Sequence, residues 1–129
     1  MKSFLFLLAF LILTSMPLSA RAESNTSVET AVFGTGVENL VPMGVAESFP
    51  ASIGRVYCYS KITNGDGSTI THRWYYNDKE VAAVPLEIRS PSFRTYSYKT
   101  ILPHYKGNWK VEIVAEEGNI IKTLEFTIE

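Results

Sequence analysis

Only one cysteine, Cys58, stands in the 129 residues. No disulfide can form within the chain, so packing has to hold the fold. Excess positive charge is missing too, with 12 Lys and Arg against 13 Asp and Glu. Nucleic acid and anionic lipid are bound through clustered Lys and Arg, and neither is expected as a partner. Two histidines and one thiol, with no Cys/His cluster, provide no metal-binding spacing. The run Asn64-Gly65-Asp66-Gly67-Ser68 lacks the regularly placed carboxylates of a calcium loop and reads as a turn. No metal and no cofactor are expected.

The longest apolar run is at the start. Lys2 precedes the stretch Phe4 to Leu13, and Ala20-Arg21-Ala22 closes it with a small-x-small pattern. A positive start, about ten apolar residues and a small-residue site make residues 1–22 a secretory signal peptide, since a spanning helix needs about twenty apolar residues. Cleavage is expected after Ala22 or Ala20, leaving 23–129 as one domain with no membrane span, exported to the periplasm or outside the cell. Loss of Lys2 and Arg21 moves the net charge from −1 to about −3.

After the leader no helical period appears, and apolar alternation at a period of two dominates. Val28 to Phe33 is a first strand, Asn39 to Gly44 a turn or loop, and Val45 to Phe49 a weak segment ended by Pro50. Arg55 to Thr63 alternates most cleanly, with Val56, Cys58, Ser60 and Ile62 on one face and Tyr57, Tyr59 and Lys61 on the other. Thr69 to Tyr76 puts Ile70, His72, Trp74 and Tyr76 together. Glu80 to Arg89 is placed at a sheet edge by Pro85, which cannot donate to a ladder. Phe93 to Leu102 sets Arg94, Tyr96 and Tyr98 against Phe93, Thr95, Ser97, Lys99 and Ile101. Trp109, Val111, Ile113 and Ala115 form the inner set of the next strand, alternating with Lys110, Glu112, Val114 and Glu116 outside, and Ile120, Leu124, Phe126 and Ile128 form that of the last.

Seven or eight short strands in about a hundred residues, separated by turn signals, predict an all-β antiparallel sandwich. The immunoglobulin-like arrangement fits best. Its strand-B core residue, its strand-C Trp and its strand-F Gly-x-aromatic-x-core series are matched by Cys58, Trp74 and Gly107, Trp109, Val111. Val111 stands where a partner cysteine would be, and a Greek-key barrel remains the alternative.

The order Phe33 and Val37, Asn39 with Pro42, Val56-Tyr57-Cys58, His72 with Trp74, Arg94 with Ser97 and Lys99, Gly107 with Trp109 and Val111, then Gly118 and Phe126, resembles the bacterial domain of unknown function two-nine-one-four family. The resemblance spans nearly all of the chain after the leader. It implies a bacterial, exported or membrane-associated protein and brings no activity with it.

Two residue sets carry any chemistry. The first is inward and polar: His72, Ser97 and Lys99. Ser97 and Lys99 invite a Ser/Lys nucleophile with His72 as helper, yet Ser-x-Lys on a strand differs from the helical Ser-x-x-Lys of penicillin-recognising enzymes, and no acid partner or oxyanion loop accompanies it. A structural His72, hydrogen-bonded to Ser97 or Ser60, is the simpler expectation. The second set is outward. Pairing of the B and E strands would bring Tyr57 and Tyr59 beside Tyr96 and Tyr98, rimmed by Arg55 and Arg94. Such a face suits sugar rings or a protein, because Tyr joins an apolar ring to a polar tip. Coverage by the Leu40 to Gly54 segment would remove it. The expected function is a non-catalytic binding or interaction module of the cell envelope, its partner an envelope protein or a glycan. A carbohydrate or cell-wall ligand domain and a small Ser/Lys hydrolase are the alternatives.

Overall fold

The computed structural model describes residues 25–129, and the expected signal peptide lies outside them. The strands are β1 (Ser27–Gly34), β2 (Gly36–Glu38), β3 (Val41–Met43), β4 (Ser48–Phe49), β5 (Arg55–Thr63), β6 (Thr69–Tyr76), β7 (Lys79–Glu87), β8 (Ser92–Thr100), β9 (Gly107–Val114) and β10 (Ile120–Ile128). Among the described residues there is no helix. One sheet has the order β1-β5-β8, the other β4-β10-β9-β6-β7, and β2-β3 form a separate small hairpin.

The seven long strands are those that alternation marks in the sequence. Their inner faces meet between the sheets as expected: Val56, Cys58 and Ile62 from β5, Ile70 and Trp74 from β6, Val111 and Ile113 from β9 are all fully buried. The core centres on Phe126, whose ring stacks on Trp109 at 5.7 Å and meets Phe33 at 4.5 Å and Trp74 edge-on at 6.3 Å. Burying four large aromatics supplies what the missing disulfide would, at about 25 cal/mol for each Å² of apolar surface removed from water.

β1, β5 and β8 take the places of the A, B and E strands of an immunoglobulin-like sandwich, and β6, β9 and β10 those of C, F and G. β7 differs from the constant-type pattern. Asn77 and Asp78, both with positive φ (48° and 68°), form the two-residue turn that sends the chain straight back against β6. Hence β7 stays in the larger sheet as an edge strand, as Pro85 requires, and among the described residues no strand occupies the D place beside β8. β4 runs parallel to β10. Three backbone bonds of 3.0 Å join them: Thr127 N to Glu47 O, Glu129 N to Phe49 O and Ala51 N to Glu129 O.

At the corner leading into β9, Trp109 Nε1 donates to the carbonyl of Tyr105 at 3.1 Å. Trp109 lies two residues before Val111, where immunoglobulin domains keep a corner tyrosine bonded to upstream backbone. Here a tryptophan performs that task.

Three expectations need correction. Residues 39–44 are not simply a loop: β2 and β3 pair around Asn39 and Leu40, both in the left-handed region (φ 51° and 58°). The hairpin lies close because Gly34 has no Cβ, which would collide with the Met43 carbonyl. Ile120 is not an inner residue. A bulge between Ile120 and Lys122 shifts the register, leaving Ile120 53% exposed and packing Ile121 against the core instead. Val114, expected outside, is buried.

Candidate functional site

β5 and β8 pair without a break from Arg55 opposite Thr100 to Thr63 opposite Ser92. This register sets Tyr57 opposite Tyr98, Tyr59 opposite Tyr96 and Lys61 opposite Arg94, all directed away from the core. The Tyr57 ring lies 5.2 Å from Tyr98 and 6.0 Å from Tyr96, and the Arg55 guanidinium sits over Tyr98 at 4.5 Å. Hydrogen bonding with Tyr57, then the nearby Tyr98, favours the charged guanidinium. Tyr96 and Tyr98 remain 39% and 46% exposed.

The expected four-tyrosine face is thus reduced to three. Tyr59 keeps only 6% of its surface, and β2 lies against β5 on this side. Arg94, expected on the rim, reaches the hairpin turn, where its Nη1 donates to the Leu40 carbonyl at 3.4 Å. The cover is the β2–β3 hairpin, residues 36–43, and not the whole stretch from Leu40 to Gly54.

The inward polar set is a closed network. His72 Nε2 is 2.9 Å from Ser60 Oγ, and His72 Nδ1 is 2.6 Å from Ser97 Oγ, which also accepts from Trp74 Nε1 at 3.1 Å. β5, β6 and β8 each contribute. A neutral imidazole has one donor and one acceptor nitrogen, and two hydroxyls that both donate and accept satisfy either tautomer. Burial pulls the His72 pKa from 6.5 down to about 4, because the charged form would lose its water. Cys58, beside Ser60, is fully buried, and desolvation pushes its thiol pKa far up, so it is an inert core residue.

Lys99 does not join this network. It lies opposite Val56 at the far end of β8, half-buried, and neither His72 nor Ser97 bonds to it. Ser97 is 5% exposed and His72 not at all, so the serine and imidazole that meet are closed off from solvent. Among the described residues no three His, Cys, Asp or Glu side chains gather to hold a metal ion.

The outer face of the larger sheet holds a further cluster, outside the expected site residues. Tyr75 Oη donates to Glu112 at 2.8 Å, raising the Tyr75 pKa, and Lys110 lies over the Tyr75 ring at 4.6 Å and 3.7 Å from Glu112. Its signal was the alternation of Lys110 and Glu112 with Trp109 and Val111, the same pattern that exposed the core.

The family described as "Protein of unknown function (DUF2914)" matches residues 67–128. That segment belongs to the DUF2914 family. It runs from the loop before β6 through β10 and includes His72, Trp74, Arg94, Ser97, Lys99 and Trp109. The earlier part of the resemblance, from Phe33 to Cys58, lies outside the match. So does β5, among the described residues the only strand paired with β8, and the DUF2914 segment therefore closes its sandwich on residues that precede it. No curated protein matches the chain.

Proposed function

We propose that the chain is an exported, non-catalytic binding module of the bacterial cell envelope, using the face made by Tyr57, Tyr96, Tyr98 and Arg55. The observation that carries this reading is the exposure of Tyr96 and Tyr98, 39% and 46%, beside a half-buried Tyr57 on a pair of strands in unbroken register. Aromatic rings and a guanidinium held in register offer contact area at little cost in side-chain freedom. The Ser97–His72 pair is read as structural because every polar atom in it has a partner within the core. Export rests on the pattern of residues 1–22.

A photo-crosslinking side chain at position 57, between Tyr96 and Tyr98 on the same face, in the full chain exported by a bacterial host, tests the reading. Crosslinks to an envelope protein, lost when Tyr96 and Arg55 are replaced by Ala, are expected. No crosslinking above a control placed at exposed Glu125 overturns it. Retention on purified peptidoglycan sacculi that Tyr98→Ser abolishes would turn the partner from protein to glycan.

A further inference from the structure

The empty D place leaves β8 with one paired side. Its nine residues keep unbroken register with β5, and among the described residues no backbone group of Phe93–Thr100 is bonded to any other element. The other edges are protected. β7 carries Pro85 and a register shift, β1 carries a shift and gives its Phe33 carbonyl to Ala46, and β4 is two residues long. Proteins blunt exposed edges in these ways, and β8 has neither proline nor bulge.

Along this edge, on the open side between β7 and β8, runs a groove of about 520 Å³. Leu40, Leu86, Phe93 and Tyr96 give it apolar walls, and Arg89 and Arg94 outnumber the one carboxylate there, Glu87. We propose that the β8 edge and its groove form a strand-addition site for an extended peptide alternating apolar and acidic side chains. The peptide's backbone completes the ladder that β8 leaves open, its apolar side chains enter the groove, and its carboxylates meet Arg89 and Arg94. Pairing with a second copy is disfavoured, because two β8 strands each bring Arg94 and Lys99 to the seam. The inference deepens the binding reading but places the partner's backbone on the sheet edge, beside the tyrosine face.

Amide hydrogen exchange on the purified exported chain tests it, with two acetylated seven-residue probes, one alternating Glu and Val and one alternating Lys and Val. At about 1 mM the Glu/Val peptide should slow exchange about tenfold at alternate residues of 93–100 and leave β1 and β7 unchanged, while the Lys/Val peptide does nothing. Arg89→Glu with Arg94→Glu, both exposed, should reverse that preference, with circular dichroism confirming the fold. Tyr98→Ser should keep peptide binding even where it abolishes crosslinking at the tyrosine face, so the two readings fail separately. No slowing in β8, slowing at another edge, or equal binding of the two peptides overturns the proposal. So does dimerisation that protects β8 without peptide, which would make the occupant a second copy.

Discussion

The two faces of the β1–β5–β8 sheet are built from the same strands and treat polar side chains on opposite terms. Inward, Ser60 and Ser97 are tolerated because His72 and Trp74 use both hydroxyls, and one missing atom leaves a group in the core without a partner. Outward, Tyr57, Tyr96 and Tyr98 lean on one another and on Arg55, with water replacing any contact that is lost. Consecutive residues such as Ser97 and Tyr98 therefore stand on opposite terms: the first links the two sheets through His72 and Trp74, and the second stays 46% open to solvent.

The strongest challenge to this contrast is Trp74→Ala, which should cost about 3–5 kcal/mol in urea unfolding if the inner face bears the stability. A loss under about 1 kcal/mol would move Trp74 out of the core and dissolve the distinction. Acid comes next. The folded chain keeps His72 neutral down to about pH 4, whereas the unfolded chain takes up a proton near 6.5, so the unfolded state binds more protons between these values. The contribution is complete above about pH 6.5 and falls away as pH drops toward 4, by about 3 kcal/mol in all. Stability measured across that window should show the slope, and His72→Asn should flatten it.

Ser97→Ala should cost about 2 kcal/mol, because it strands the Trp74 N–H and one His72 nitrogen. Combining it with Trp74→Phe should cost less than the two single losses added together, which a double-mutant cycle reads directly. Smallest of all is Tyr98→Ser, expected within about 0.5 kcal/mol of the parent in thermal unfolding while removing the crosslink at that face. Tyr59→Ser sharpens the comparison from the other side. Tyr59 points outward, but the covered ring should behave like a core residue and lose more than Tyr98→Ser.

β5 and β6 were legible to the residue because their alternation is uninterrupted, and the two serines offered by pattern as partners for His72 both serve. Trp74 sharing Ser97 was not legible, since it depends on the depth at which two sheets interlock. Nor was the separation of Lys99 from the network: facing the same way two residues apart does not bring side chains together on an extended strand. Ile120 failed for a related reason, as one bulge at the start of β10 reverses every parity argument before it. The β2–β3 hairpin escaped because three-residue strands carry almost no periodicity, and its turn uses Leu40 where a Gly would have announced it. With the hairpin unseen, the cover over Tyr59 was unseen as well.

The parallel pairing of β4 with β10 also decides how the sandwich answers a pull. Tension entering β4 from residues 43–47 and leaving through the far end of β10 drags the two strands past each other lengthwise. The bonds from Thr127 to Glu47, from Glu129 to Phe49 and from Ala51 to Glu129 then share the load and must yield together, whereas a hairpin such as β6–β7 opens one bond at a time from its free end. Two residues of strand thus act as a mechanical clamp on the edge of the core, and the force at which the domain gives way is set there by the rate of rupture, not by its equilibrium stability.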